Sequence, residues 1–482
     1  MRHSSLPVLI LACAPLFAGA VACKAGDAKT VENSVNSALS ATGLAPQAPA
    51  TGAASASASA PTTAAAEDDE PSMDVGDDAI IAKKFLRGPA AGGEGWKLDL
   101  AQLQPAGDEY VTALAAPSEG TAHLTVDATL QKTAEKLLAE YEIPEASIVL
   151  VRPRDGKILV YASRIATGRT KRDLNVEASA PSASLFKIIT GTALVDHAGL
   201  GPETPQCWSG GMHRIQERDL QADPKRDTLC TTLAGAMGHS TNTVFARLAS
   251  QKLTPTSLGE TARAYRYGSA LPFDVPVEPS ALQIPEETLG FARTAAGFWN
   301  TTLSPLHAAW IASVVANGGE GVRPYVVASL ESGGKTMYTA PESRPLGRII
   351  SARTAEQVTR MMENTVAEGT SRKAFHDPRG KSFFPQLPIA GKTGTLTDEK
   401  AGRFYTWFSG FAPSRPVANV EPVAIAVLAV NGANWKVKAN TVAREVLRAY
   451  FAGQDVPGVT APTAGKAKAT KNVAAATTKK KH

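Results

Sequence analysis

A serine and a lysine three residues apart, Ser184 and Lys187, stand at the start of an apolar run that covers residues 188–195. Pro181 and the small polar residues after it predict that a buried helix begins there. Residues three apart on a helix share one face, so the two side chains should lie close together. A serine hydroxyl is a weak nucleophile until a neighbouring base takes its proton. A lysine in an apolar pocket loses its own proton more easily and can be that base.

Two further motifs downstream support this hypothesis. Ser240 and Asn242 form a Ser-x-Asn motif, and residues 392–394 read Lys-Thr-Gly. The first pair alone is better explained as a helix cap beside a surface lysine, because serine three residues before lysine recurs by chance in long proteins. The three motifs in this order resemble the signature of penicillin-binding proteins and serine β-lactamases, a family of serine acyl-transferases.

The resemblance to the transpeptidase domain of penicillin-binding proteins covers residues 121–452. Outside the three motifs, the segments that look like this domain are 124–131, 304–306, 316–319, 368–370 and 407–413. The resemblance implies the penicillin-binding/β-lactamase-like fold, with an antiparallel sheet, flanking helices and a helical subdomain. The sequence is itself typical of a mixed α and β (α+β) domain, because strand patterns stand at both ends with helix patterns between them.

Local patterns predict the elements that carry the motifs. Polar capping residues and apolar periodicity predict helices after Asp127, after Ser304, after Ser351 and over about 439–451. Apolar runs predict strands at 147–151, at 157–162, from Lys392 onwards, at 406–411 and at 423–430.

The resemblance also implies a role for each motif residue. Ser184 would attack the carbonyl of a D-Ala-D-Ala bond in a peptidoglycan stem peptide, and Lys187 would take its proton. Ser240, assisted by Lys392, would pass a proton to the departing D-alanine. Asn242 would hold the peptide backbone and orient the base.

The third motif is expected to bind substrate. The hydroxyls of Thr393 and Thr395 would bind the terminal carboxylate, and Gly394 would let the substrate lie close against the strand. Backbone N–H groups of Ser184 and Thr395 would form the oxyanion hole.

The resemblance predicts a penicillin-binding D,D-transpeptidase that β-lactams acylate. A D,D-carboxypeptidase and a serine β-lactamase are alternatives with the same nucleophile. A β-lactamase needs a base that activates water, and no glutamate has an obvious partner near the motifs. A non-catalytic β-lactam sensor or cell-wall scaffold is an alternative of another class, although a pure binder needs no base.

The amino-terminal region predicts export. Residues 1–22 have the charged start, apolar centre and small final residues of a signal peptide. Cys23 follows at once and is a candidate for lipidation, although Ala20 stands where lipoprotein signals usually carry a larger aliphatic residue. The alternatives are plain secretion and an uncleaved membrane anchor. The expected location is the periplasm or cell envelope, with membrane attachment if Cys23 is acylated.

Composition divides the rest of the chain. Residues 23–79 are rich in Ala, Ser, Thr and Pro and then acidic, which predicts a disordered tether. Residues 80–120 contain two strand patterns and are expected to form a small β lead-in of unknown role. Residues 453–482 carry six lysines without an acid after Val456 and predict a disordered basic tail. The formal net charge is +5, so the rest of the chain is nearly neutral, and nucleic acid is not an expected partner of an exported protein.

Cysteine usage agrees with export. Cys207 and Cys230 are an even pair between the first two motifs, and they could form a disulfide in an oxidising compartment. Two free thiols are the alternative. His and acidic residues show no metal-ligand spacing, and the sequence contains no glycine-rich phosphate loop, so neither a metal nor a cofactor is predicted.

Overall fold

The computed structural model of the protein describes residues 73–74, 97–114, 119–166, 172–298, 300–432 and 437–462. The predicted signal peptide, Cys23, most of the predicted tether and the lysines of the tail lie outside these residues. All described residues belong to one compact unit, which spans 66–482.

The strands, in chain order, are β1 (Met73–Asp74), β2 (Gln104–Ala106), β3 (Glu109–Ala113), β4 (Thr121–Leu124), β5 (Glu145–Val151), β6 (Ile158–Ile165), β7 (Ala180–Pro181), β8 (Pro205–Trp208), β9 (Leu229–Thr232), β10 (Thr302–Leu303), β11 (Glu320–Val322), β12 (Val327–Ser332), β13 (Lys335–Thr339), β14 (Pro345–Arg348), β15 (Ala390–Asp398), β16 (Arg403–Ala412) and β17 (Val423–Asn431). The helices are α1 (Ala128–Glu140), α2 (Lys187–Ala198), α3 (Leu233–Gly238), α4 (Asn242–Lys252), α5 (Pro255–Ala264), α6 (Thr288–Ala295), α7 (Pro305–Ala316), α8 (Ala352–Ala367), α9 (Arg372–Phe375) and α10 (Ala439–Ala452). Short 3-10 turns cover Ala183–Phe186 and Glu217–Leu220.

The central sheet has the strand order β1-β15-β16-β17-β5-β6. Neighbouring strands from β15 to β6 are antiparallel, and β1 pairs in parallel with β15. Every residue of β17 is buried, because α7 covers one face of the sheet while α1 and α10 cover the other. Successive β5 residues therefore alternate between two apolar clusters, with Ile148 in one and Val149 in the other.

Polar caps fix the helix starts that the sequence predicted. The side chain of Asp127 accepts a hydrogen bond from Leu130 N, and Ser304 and Ser351 accept in the same way at the starts of α7 and α8. A helical region built around α2 packs beside the sheet, with α4, α5 and α8 against α2. The predicted α+β class and its helical subdomain are confirmed.

The domain extends beyond the boundaries predicted at both ends. Strands β2 and β3 join β4 and β12 in a second sheet, so the part of the lead-in that the structure describes is continuous with the residues after 121. Met73 and Asp74, inside the predicted tether, pair with β15. Val456 and Val459, inside the predicted basic tail, are buried against the core. Their apolar surface explains why order continues past residue 452.

Across the residues that the structure describes, none of the helices combines the length and the apolar character needed to span a bilayer.

His307 is a buried histidine on α7, the helix that covers one face of the central sheet. His307 is 1% exposed, its Nε2 lies 2.6 Å from the carbonyl oxygen of Tyr265, and its Nδ1 lies 2.6 Å from Ser280 Oγ. A carbonyl only accepts, so Nε2 carries the hydrogen and Nδ1 accepts from the serine hydroxyl. Burial lowers the pKa of His307 to about 4. The folded state therefore holds the neutral ring.

We expect stability to fall as pH drops from about 6.5 to 4, because the unfolded chain takes up the His307 proton in this window while the folded chain does not. The loss attributable to this residue is about 3 kcal/mol. His307→Gln should remove that part of the pH dependence, as measured by urea unfolding at pH 7 and pH 4. The exposed His197 on α2 provides the control variant His197→Gln. An identical pH dependence in wild type and His307→Gln would contradict the assignment.

Candidate active site

The hydroxyl of Ser184 lies in a 3-10 turn immediately before α2. The turn covers Ala183–Phe186, and Lys187 is the first residue of α2, so the chain coils tightly at this point. Ala183 has φ +48°, an unfavourable backbone conformation for a residue with a side chain. Such conformations persist where the surroundings enforce them, often at functional sites. Here the result is that Nζ of Lys187 lies 2.8 Å from Oγ of Ser184.

The amine of Lys187 is fully buried and meets oxygens from three segments. Besides Ser184 Oγ, Nζ lies 2.7 Å from Asn242 Oδ1 and 2.6 Å from the carbonyl oxygen of Ala296. An ammonium group can donate to all three. After loss of one proton, the two N–H groups can stay on the amide and carbonyl oxygens, which only accept. The lone pair then faces Ser184, whose hydroxyl can donate to it, so the geometry suits proton transfer from serine to lysine.

The first turn of α4 fixes the amide of Asn242. Its Nδ2 donates to the carbonyl oxygen of Met212 at 2.5 Å. Because that carbonyl cannot donate, it selects the amide nitrogen and leaves Oδ1 facing Lys187. Asn242 therefore presents an acceptor to the amine.

A second serine–lysine pair lies between the start of α4 and β15. Nζ of Lys392 is 2.8 Å from Oγ of Ser240 and 2.9 Å from the carbonyl oxygen of Thr393. Both side chains are fully buried. Ser240 has φ +55°, so this motif serine, like Ala183 beside the first, has a left-handed backbone. The 2.8 Å contact makes this pair a second place at which a proton can pass between a serine and a lysine.

Strand β15 places the third motif against the serine turn. A Cβ on Gly394 would lie 3.3 Å from the Cβ atoms of Ala183 and Trp407, so close packing beside the nucleophile is one reason for glycine here. Thr393 and Thr395 keep 4% and 8% of their surface exposed. Both threonines therefore keep a little accessible surface on the strand, whereas Lys187 and Lys392 keep none.

Three residues that the structure places in the site were not predicted from the sequence. Ala296 and Met212 act through backbone carbonyls, which every residue has, so no residue type marks them. Thr370 lies in a segment, 368–370, that resembles the family, but no role was predicted for it. Its Oγ1 is 2.6 Å from Thr393 Oγ1, and its backbone N–H donates to the carbonyl of Gly238. Thr370 thus joins the third motif to the helix before the second.

Beside the lysine, aromatic and hydroxyl side chains pack around the serine turn. Ser182 Oγ is 3.2 Å from the hydroxyl of Tyr267, and the Tyr267 ring packs edge-on against Phe186. Burial raises the pKa of Tyr267, so its hydroxyl stays neutral near pH 7. No three or more His, Cys, Asp or Glu side chains among the described residues are grouped so that they could hold a metal ion.

The predicted cysteine pair lies beside the site rather than in it. Cys207 on β8 and Cys230 on β9 face each other across the hairpin and form a disulfide. The loop that they close contains Met212, the residue that contacts Asn242. The structure therefore brings together all the predicted motif residues and connects the cysteine pair to them, while Cys23 lies outside the described residues.

Comparisons with known proteins identify the family. Residues 146–449 match the model of the penicillin binding protein transpeptidase domain. Among curated proteins, the chain is 30% identical over 269 residues to peptidoglycan D,D-transpeptidase PbpA of Mycobacterium tuberculosis, covering 53% of this chain and 50% of that protein. It is 26% identical over 326 residues to stage V sporulation protein D of Bacillus subtilis, covering 63% of this chain and 49% of that protein. The chain spans about half the length of these relatives.

Solved structures show the same fold. A structure of penicillin-binding protein A from M. tuberculosis, as an imipenem acyl-enzyme complex, superimposes with a TM-score of 0.56 at 24% identity, covering 70% of this chain and 80% of that one. A D,D-transpeptidase domain from Eggerthella lenta also gives a TM-score of 0.56, at 22% identity, covering 71% and 85%. Since the family model spans well over half of the chain and its three motifs meet in one buried site, the protein belongs to the penicillin-binding protein transpeptidase domain family.

Proposed function

We propose that the protein is a serine D,D-transpeptidase that cleaves the D-Ala-D-Ala bond of peptidoglycan stem peptides and passes the acyl group to an amine. The observation that carries the proposal is the buried contact of 2.8 Å between Ser184 Oγ and Lys187 Nζ. The named relatives, among them a peptidoglycan D,D-transpeptidase, support this reaction class.

In the acylation step, Ser184 Oγ attacks the carbonyl carbon while its proton moves to Lys187 Nζ. Asn242 Oδ1 and the carbonyl of Ala296 keep the amine aimed at the hydroxyl. Backbone N–H groups of Ser184 and Thr395 hold the oxyanion, and each such donor is typically worth about 3 to 4 kcal/mol. The product is an ester between Ser184 and the stem peptide.

The leaving D-alanine needs a proton as the C–N bond breaks. Ser240 donates its hydroxyl proton to the leaving amine, and the neighbouring Lys392 replaces it across the 2.8 Å contact. The hydroxyls of Thr393 and Thr395 bind the terminal carboxylate, and Thr370 holds the first of these hydroxyls in place. In deacylation, an amine of a neighbouring stem peptide attacks the ester and gives a proton to the Ser240–Lys392 pair. The ester C–O bond then breaks, and Ser184 Oγ takes its proton back from Lys187.

The proposed location is the cell envelope outside the cytoplasmic membrane. The signal-peptide pattern at residues 1–22 supports export, and acylation of Cys23 would attach the protein to a membrane. β-lactams, which imitate the terminal D-Ala-D-Ala, would acylate the same serine.

A fluorescent penicillin should acylate Ser184, because its hydroxyl lies 2.8 Å from the amine of the proposed base at the start of α2. Ser184→Ala should abolish labelling on a denaturing gel while the protein stays folded. Ser182→Ala is the matched control, since Ser182 is a buried neighbouring serine whose hydroxyl contacts Tyr267 instead. Peptide mapping that located the label on Ser240 would contradict the assignment.

A chromogenic cephalosporin should give a burst of about one equivalent and then little turnover, the kinetic mark of an accumulating acyl-enzyme. We expect slow deacylation because the sequence offers no obvious glutamate to activate water. Rapid steady hydrolysis, on the order of 10 per second as in working enzymes, would instead identify a β-lactamase.

Incubation with a stem pentapeptide and an amine acceptor should give a cross-linked product, which mass spectrometry can detect. Ser184→Ala is the inactive control. Release of D-alanine without cross-linking would identify a carboxypeptidase. Penicillin binding without either product would favour the sensor alternative.

A further inference from the structure

The loop closed by the disulfide covers one side of helix α4. Residues 208–229 connect Cys207 on β8 to Cys230 on β9, and the two cysteines lie directly opposite each other in the hairpin. Two carbonyl oxygens of this loop receive hydrogen bonds from the start of α4. Thr243 Oγ1 donates to Gly210 at 2.6 Å, next to the bond from Asn242 Nδ2 to Met212.

Arg247, one turn further along α4, holds the loop at three places. Its guanidinium donates to the carbonyl of Cys207 at the start of the loop and to the carbonyl of Asp219 in its middle. Near the end of the loop it forms an ion pair of 2.7 Å with Asp227. The two side chains of the pair are only 6% and 5% exposed. The hydrogen bond from Arg247 lowers the pKa of Asp227 to about 2, so the carboxylate is charged near neutral pH.

We propose that Arg247 is a positioning residue for acylation, which acts through the loop on the amide of Asn242. The proposal rests on the function proposed above. An asparagine amide can turn either its oxygen or its nitrogen toward Lys187, and only the oxygen can accept from the amine. The Met212 carbonyl accepts a hydrogen bond from Nδ2 and so keeps the oxygen of the amide toward Lys187. Arg247 holds the loop to which Met212 belongs. When the loop shifts, the amide is free to rotate, and proton transfer from Ser184 slows.

The disulfide supports the same restraint. It joins the two strands at the base of the loop, so it limits the conformations that the loop can adopt when its other contacts open. Both cysteines are exposed in the hairpin, so a small thiol reagent can reach them. Dithiothreitol would reduce the bond to two thiols and be oxidised to its own cyclic disulfide.

The first test uses Arg247→Gln in the full-length chain, with the acylation rate constant and the dissociation constant of a fluorescent penicillin measured separately by stopped flow. We expect the rate constant to fall about tenfold or more, and the dissociation constant to change much less. Arg226→Gln is the matched control, because Arg226 lies in the same loop but pairs with Asp223 on the exposed surface. An unchanged acylation rate in Arg247→Gln would overturn the proposal.

A double-mutant cycle separates positioning from general destabilisation. If Arg247 acts through the amide, Arg247→Gln should have little further effect on the acylation rate of Asn242→Ala. Fully additive losses would overturn the proposal. Should Arg247→Gln fail to fold, Asp227→Asn weakens the same anchor with a nearly unchanged shape and is measured in the same way. An absence of penicillin labelling in wild type would instead defeat the proposed function itself.

The disulfide is tested in the wild-type protein, after non-reducing peptide mapping has located the Cys207–Cys230 link. Dithiothreitol should lower the acylation rate constant severalfold. It should leave the already slower Cys207→Ser/Cys230→Ser variant unchanged. A wild-type rate that resists reduction would overturn the role assigned to the disulfide.

Discussion

The burial of one amine, Nζ of Lys187, is the constraint on which the rest of the site depends. The side chain has no exposed surface, and three oxygens from the serine turn, α4 and the end of α6 surround its amine. Transfer of a polar or charged group out of water is costly unless hydrogen-bond partners replace the water. These three segments are the replacement, so displacing any one of them leaves the amine less well satisfied. The arrangement that proton transfer needs is therefore also the arrangement that stabilises this part of the fold.

The serine and the asparagine of the second motif contact two different elements of the site. Ser240 contacts Lys392 on β15, whereas Asn242, only two residues later, contacts Lys187 on α2. The left-handed backbone at Ser240 turns the chain between them, at a typical cost of about 1 to 3 kcal/mol for such a conformation. The buried hydrogen bonds on both sides offset this cost. A short segment thereby connects the helical region to the sheet.

The sequence predicted most of the side chains that the structure brings together, but it missed the hydroxyl of Thr370 and the groups that belong to the backbone. Ser184, Lys187 and the later motif residues were identified because their chemistry is specific to residue type and their order is characteristic. The carbonyls of Met212 and Ala296 could not be recognised in this way. Every residue has a carbonyl, and these two act only because the fold brings the backbone next to the site. At the ends of the domain, composition suggested disorder past residue 452, but Val456 and Val459 are two apolar residues that reach the core. Two apolar residues change the average composition of the 30-residue tail too little to predict that its first part is ordered.

Acyl transfer requires one proton to leave the nucleophile and another to reach the leaving amine, and the two lysine–serine pairs suit these two tasks. The pairs are held by different structures, because Lys187 belongs to the helical region and Lys392 to the sheet. The distance between the two lysine–serine pairs therefore depends on the contacts that hold the helical region against the sheet. Helix α8 packs against α2, α3 and β15 together, and Thr370, just beyond its end, bonds to both Gly238 and Thr393. Helix α8 and the turn after it therefore help to set the distance between the two proton carriers, together with the direct packing of β15 against the serine turn at Gly394 and Ala183. They do so without supplying a proton-carrying group to the proposed reaction.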